Sequence, residues 1–139
     1  VKRFCEVANP KQLLLIGIRS LDEDEFNFLK ENEIQIIKAS EIINENERAV
    51  KKFKSFLDNF QQFYISIDCD VLDPSILPGV NFPEPQGITL SHLFSFFNLL
   101  ERRKVIGIDF CEFKHRKGEK ISEIVITKVL YKLLSKIKL

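Results

Sequence analysis

The chain has 139 residues, of which 45% are hydrophobic and 29% charged, and its formal net charge is +1. This length suits one domain with a buried core, residues 1–139, and the charge balance gives no indication of a nucleic acid or anionic membrane partner. No apolar run approaches the ~20 residues that span a bilayer, and the amino terminus does not resemble a signal peptide. Three scattered cysteines suit neither a disulfide framework nor a zinc site, so we expect a reduced, cytoplasmic protein.

In chain order, apolar β-branched runs predict strands at residues 13–19, 34–39, 63–70 and 105–113. The intervening segments predict helices. Residues 22–31 open with acids, Ser40 can cap a longer helix that reaches Phe60, Thr89 or Ser91 can cap a third helix, and the last covers residues 120–138. Near-continuous apolar strands alternating with helices predict an α/β fold of three layers, with a mainly parallel sheet covered on both faces.

Acidic side chains end two of the predicted strands. Asp68 and Asp70 close the third strand, and Glu112 lies at the end of the fourth. In a parallel sheet the functional site collects beyond the carboxyl ends of the strands. The pattern therefore predicts three acids on one rim.

The spacing of Asp68 and Asp70 predicts a metal site. Residues i and i+2 of a strand share a face, about 6.6 Å apart along it, so Cys69 would point the other way. Two unpaired carboxylates this close would raise one pKa, and a divalent cation removes the conflict. Oxygen ligands suit Mg²⁺ or Mn²⁺. The alternative, which D-x-D alone leaves open, is a helix or loop cap formed by the aspartates.

The residues around this pair resemble a family signature. The run DCDVLDP from Asp68, then Leu77-Pro78-Gly79, then Pro83-Glu84-Pro85, then Gly87-Ile88-Thr89, is similar to the signature of the ureohydrolases, the arginase and agmatinase family. The resemblance extends to the I-G-I-R run ending at Arg19 and to the last strand, VIGIDFCE, which ends at Glu112.

The resemblance implies a site for two Mn²⁺ ions, at which hydroxide attacks a guanidinium carbon and yields urea and an amine. By position, Asp68 resembles the carboxylate that bridges both metals, and Asp70 the one that binds a single metal. Glu112 resembles the glutamate that pairs with the guanidinium group.

The loop residues bear on the substrate. Glu84, between two prolines, resembles agmatinases more than arginases, and is either a substrate-binding residue at the mouth or a structural corner. Asp22 lies where arginases hold the substrate's α-amino group, although a helix cap is the simpler role for it. Agmatine is therefore the expected substrate, with arginine, guanidinobutyrate and formiminoglutamate as alternatives.

The sequence departs from the family in its metal ligands. A complete ureohydrolase carries G-G-D-H and D-A-H-x-D motifs, and this chain has neither. Its two histidines, His92 and His115, do not match ligand positions. We therefore expect the chain to correspond to the carboxyl-terminal half of a ureohydrolase, to form no urea alone, and to self-associate or assemble with an amino-terminal half.

Two other functions remain open from the sequence. Haloacid-dehalogenase-type phosphatases also end an apolar strand in D-x-D, but they follow it with Gly-Thr-Leu where this chain has Val71-Leu72-Asp73. A non-catalytic scaffold subunit is the second alternative, because two aspartates cannot complete two coordination spheres of about five or six ligands each.

Overall fold

The structure is a computed structural model that describes residues 1–101 and 103–137. Its four strands are β1 (Leu14–Ile18), β2 (Gln35–Lys38), β3 (Gln62–Asp68) and β4 (Lys104–Cys111). Its helices are α1 (Lys2–Cys5), α2 (Glu23–Glu31), α3 (Ala39–Asn44), α4 (Asn46–Leu57), α5 (Leu90–Phe97) and α6 (Ile121–Leu134), with short 3₁₀ turns at Pro10–Gln12, Cys69–Val71 and Asn98–Leu100. The predicted alternation of strands and helices is confirmed. Lys138, the last residue of the predicted final helix, lies outside the described residues.

Two predicted helix starts are confirmed by their caps. The Asp22 carboxylate accepts a hydrogen bond from the Glu25 N–H at 2.7 Å, and the Glu25 carboxylate accepts one from the Asp22 N–H, so the two residues form a capping box for α2. At α5 the Thr89 hydroxyl accepts from the His92 N–H, and the His92 ring accepts from the Thr89 N–H. The role of His92 at a helix start is therefore that of a cap.

The prediction of one long helix capped by Ser40 is wrong. The helix begins earlier, at Ala39, and stops at Asn44 because Glu45 leaves the helical region with φ −137° and ψ 49°. A second helix starts at Asn46, and its first turn is closed by hydrogen bonds from the Arg48 and Ala49 N–H groups to the Glu45 carbonyl. The break lets α3 bury Ala39 and Ile42 while α4 separately buries Ala49 and the apolar face that follows it.

The strands form two parallel pairs, β1 with β2 and β3 with β4. Asp68, at the end of β3, lies opposite Cys111 at the end of β4, so both strands finish at one edge. Exposure alternates along β3: Phe63 and Ile67 are buried, whereas Tyr64, Ser66 and Asp68 are exposed. One face of this strand is therefore open in the described part of the chain, although the parallel α/β arrangement is as predicted.

The core lies between the strands and the helices that follow them. It is continuous, and residues of α3–α6 contribute to it together with the loop after β3: Ile42, Leu57, Leu77, Ile88 and Leu133 are each at most 1% exposed. Leu77 and Ile88 belong to the loop that carries the proline-rich sequence, so this loop is anchored in the core and does not simply cover it. Among the described residues, every helix is too short or too polar to cross a membrane.

Candidate metal and substrate site

Asp68 and Asp70 lie together at the end of β3, but not on one strand as predicted. The strand stops at Asp68, and Asp70 lies in the 3₁₀ turn Cys69–Val71. At the start of this turn the Asp68 carboxylate accepts a long hydrogen bond, 3.4 Å, from the Asp70 N–H. Cys69 points into the core and is 1% exposed, as predicted. Asp68 therefore caps the turn and also lies close to the Asp70 carboxylate, so the two interpretations of the D-x-D sequence do not exclude each other.

The two carboxylates repel each other. Desolvation by the surrounding protein, the charge of Asp70 and the charge of Glu112 raise the pKa of the Asp68 carboxyl to about 6. Burial raises the pKa of the neighbouring Cys69 thiol to about 12, so this thiol stays protonated at neutral pH. The rim therefore concentrates negative charge, and a bound cation would reduce the repulsion between these carboxylates.

Glu112 lies just beyond β4, at the same edge. Its backbone is in the left-handed region, with φ 58°, which is uncommon for a residue with a side chain. Neighbouring contacts hold this conformation: the Lys114 N–H donates to the Gly79 carbonyl at 2.8 Å, Val80 bridges Phe113, and the Asn81 amide donates to the Glu112 carboxylate at 3.2 Å. The loop after β3 thus orients the third acid of the rim.

Asp73 fastens the loop that carries these contacts, a role that the sequence did not suggest. Its carboxylate accepts hydrogen bonds from the N–H and hydroxyl of Ser75 at 3.0 and 2.5 Å, and from the Gly87 N–H at 3.2 Å. These bonds hold the pKa of the Asp73 carboxyl below its usual value. They close the loop because Ser75 and Gly87 stand at its two ends.

Glu84 faces the end of β1. Its carboxylate accepts a hydrogen bond from the Ser20 hydroxyl at 2.6 Å and lies 3.6 Å from the Arg19 guanidinium. Arg19 also donates to the Glu84 carbonyl at 2.8 Å and to the Asp70 carbonyl at 2.6 Å. The Pro-Glu-Pro segment is therefore tied to the turn that carries Asp70. The sequence analysis identified Arg19 only as the last residue of the I-G-I-R run, and no sequence pattern pointed to a role for Asn81 at the site.

A cavity of about 300 Å³ adjoins this link, beyond the carboxyl ends of β1 and β2. Arg19, Asp22 and Lys38 are among the residues that line it. Asp22 is engaged as the cap of α2, and the rim acids Asp68, Asp70 and Glu112 are outside the lining.

The donor chemistry of the rim fits a hard divalent cation, although the donor set is incomplete. Asp68 and Asp70 offer carboxylate oxygens, the ligand type that Mg²⁺ and Mn²⁺ prefer. Within residues 1–101 and 103–137, no group of three or more His, Cys, Asp or Glu side chains is arranged to hold a metal ion. The two aspartates could supply part of a coordination sphere.

Parallel strands alternating with helices, with acids at the carboxyl edge of β3 and β4, place the chain in the α/β class of proteins. The sequence profile of the Arginase family matches residues 1–135, and the chain belongs to this family. The resemblance noted in the sequence is thereby confirmed.

Relatives and solved structures agree with this assignment. The chain is 33% identical over 143 residues to an uncharacterised 32.2 kDa protein of Methanothermus fervidus, covering 100% of this chain and 47% of that protein. It is 30% identical to the N(1)-aminopropylagmatine ureohydrolase of Synechocystis, covering 96% of this chain and 43% of the relative. The crystal structure of arginase from Bacillus subtilis superposes with a TM-score of 0.82 at 26% identity, covering 94% of this chain and 47% of that one. The chain thus spans less than half the length of these relatives.

Proposed function

We propose that this chain carries part of the active site of a manganese-dependent ureohydrolase, which hydrolyses a linear guanidino compound to urea and an amine. The observation that carries the proposal is the meeting of Asp68, Asp70 and Glu112 at the carboxyl edge of β3 and β4. Family membership supports the same chemistry, and it gives no support to the phosphatase alternative.

Asp68 and Asp70 would hold the cations. Asp68 is the better candidate for a bridging ligand, because its anionic form is destabilised by Asp70 and Glu112 and would gain most from a neighbouring positive charge. Bound divalent cations would lower the pKa of water toward neutrality and so supply the nucleophile. The chain's own contribution is to fix the carboxylates in place through the 3₁₀ turn.

Glu112 would bind the guanidinium group of the substrate. A carboxylate accepts two parallel N–H bonds from such a group, and this requires a fixed orientation. The Asn81 amide and the pairing of Val80 with Phe113 supply that orientation before substrate arrives. A strained backbone held by its surroundings is typical of functional positions, and the φ of 58° at Glu112 fits this role.

Agmatine is the substrate we favour. The Pro83-Glu84-Pro85 sequence supports it, together with relatives named N(1)-aminopropylagmatine ureohydrolase and agmatinase. Because Glu84 is bonded to Ser20 and faces Arg19, it acts mainly as a corner that shapes the mouth. Arginine, guanidinobutyrate and formiminoglutamate are the alternatives within the family.

The remaining ligands would come from further polypeptide. The open face of β3 supports this, since parallel strands are ordinarily covered on both faces. Each strand pair also has unpaired edges in the described residues, where another strand can add. We propose assembly with an amino-terminal half, or self-association, as the state that completes the site, and no urea formation by this chain alone.

The test measures the binding of agmatine to the chain by nuclear magnetic resonance, in the presence of Mg²⁺. Agmatine should shift the Glu112 and Asn81 resonances, whereas putrescine, which carries an amine in place of the guanidino group, should shift them much less. The Glu112→Gln variant should lose this preference. Equal shifts by both ligands would contradict the proposal, and urea release from agmatine by the pure chain with Mn²⁺ would contradict its incompleteness.

A non-catalytic scaffold is the second candidate, and the incomplete donor set favours it. A scaffold subunit is not expected to prefer a guanidinium group over an amine. The comparison of agmatine with putrescine therefore also separates these two functions.

A further inference from the structure

Arg19 occupies an unusual position for a basic residue. It follows the last residue of β1, and its side chain is only 10% exposed. Among the ion pairs of the described residues, the next most buried basic partner, Arg103, is 29% exposed. Burying a guanidinium requires that its donors be satisfied.

The Arg19 guanidinium joins two separate segments. One terminal nitrogen donates to the Asp70 carbonyl at 2.6 Å and lies 3.8 Å from the Asp70 carboxylate. The other donates to the Glu84 carbonyl at 2.8 Å, and Nε lies 3.6 Å from the Glu84 carboxylate. A planar fork of donors can make these contacts at once, whereas an ammonium group cannot.

The need for such a link follows from the sheet. Strand β1 pairs with β2, and β3 with β4, and in the described chain no ladder of hydrogen bonds joins the two pairs. The end of β1 nevertheless fits closely against the 3₁₀ turn Cys69–Val71: a Cβ added at Gly17, whose φ is 83°, would lie 2.4 Å from Val71 Cγ2. Arg19 supplies the polar connection at this contact, and the Ser20–Glu84 hydrogen bond of 2.6 Å lies beside it.

We propose that Arg19 is a positioning residue of the site. It holds the turn of Asp70 and the Pro83–Pro85 loop in a fixed relation, and thereby sets the direction of the Asp70 carboxylate toward a bound cation. This role rests on the proposed function, because it assigns Arg19 to the metal ligand named there.

The test compares Arg19→Lys with Arg103→Lys. Both substitutions keep the charge, so electrostatic attraction of a cation is unchanged in each. Arg103 is a matched control, since it also bonds a carbonyl, that of Leu57, and a carboxylate, that of Asp58, at the opposite end of the strands. Two readouts are needed: the χ1 angle of Asp70, from three-bond couplings in the metal-free chain, and Mn²⁺ affinity, from the paramagnetic resonance signal of free Mn²⁺.

We expect a single Asp70 rotamer in the wild type and in Arg103→Lys, and averaged couplings in Arg19→Lys. Mn²⁺ affinity should fall about 10-fold in Arg19→Lys, the lower end of the range for changing an outer-shell partner of a metal ligand, and should stay nearly unchanged in the control. An Asp70 rotamer unchanged in Arg19→Lys, or averaged already in the wild type, would overturn the role of Arg19. If wild-type Mn²⁺ binding does not depend on Asp70, tested with Asp70→Asn, the proposed function fails, while the couplings still decide the role of Arg19.

Discussion

Replacing Asp68 with asparagine should stabilise the metal-free chain at neutral pH, although it removes a proposed metal ligand. Partial desolvation by the surrounding protein and the charge of Asp70 raise the pKa of the Asp68 carboxyl from 3.8 to about 6, so folding disfavours its anion. At about 1.4 kcal/mol per pKa unit the full change corresponds to about 3 kcal/mol, and partial solvent exposure reduces it to about 1 kcal/mol. Asparagine keeps the size and can still accept the bond from the Asp70 N–H.

The pH dependence gives this prediction its sign. The native chain binds the Asp68 proton more tightly than the unfolded chain, so wild-type stability from this group falls as the pH rises from about 4 to about 6 and is constant above. The advantage of Asp68→Asn should therefore be absent near pH 3.5 and complete at about pH 7. Urea unfolding with a chelator present, at several pH values, measures it.

Asp73→Asn is the control for this experiment. The bonds from Ser75 and Gly87 lower the pKa of the Asp73 carboxyl, so its anion stabilises the fold and the variant should lose stability above about pH 4. An Asp68→Asn chain that is less stable than wild type at neutral pH, or that differs from it equally at all pH values, would refute the reasoning.

Substitutions at Gly87 and Asp22 test the packing of the loop after β3 and the cap of α2. Gly87→Ala should destabilise the chain by about 1–3 kcal/mol in urea unfolding, because the added Cβ would lie 2.3 Å from the Asp73 backbone nitrogen. A Gly87→Ala chain as stable as the wild type would contradict the close packing. Asp22→Ala should cost about 1 kcal/mol through loss of the α2 cap, while Asp22→Asn should retain most of the stability, and an Asn variant as unstable as Ala would argue against capping.

The strands and the rim of acids were predictable from local pattern. Apolar β-branched runs marked β1 to β4, and the change from apolar to acidic residues at Asp68 and Glu112 marked where two of them end. Helix caps were predictable where a single residue of a typical capping type precedes the helix, as Asp22 and Thr89 do.

The remaining features depend on contacts that a sequence pattern does not encode. The apolar spacing from Ile42 to Phe60 continues across Glu45, so nothing marked the break there. Asp70 leaves the strand in a turn where its N–H contacts the Asp68 carboxylate and its carbonyl accepts a hydrogen bond from Arg19. The partners of Arg19 are 51 and 65 residues away along the chain, and only the fold brings them together.

The central claim is that the acids at the end of β3 hold a divalent cation, and paramagnetic broadening by Mn²⁺ tests it most directly. Substoichiometric Mn²⁺ should broaden the amide resonances of residues 68–71 and of Glu112 first, and Asp68→Asn combined with Asp70→Asn should abolish this effect. The start of α2, Asp22 to Glu25, is an internal comparison, because it is rich in acids without the geometry of the rim. Broadening that appears there first, or that persists at the rim in the double variant, would contradict the account.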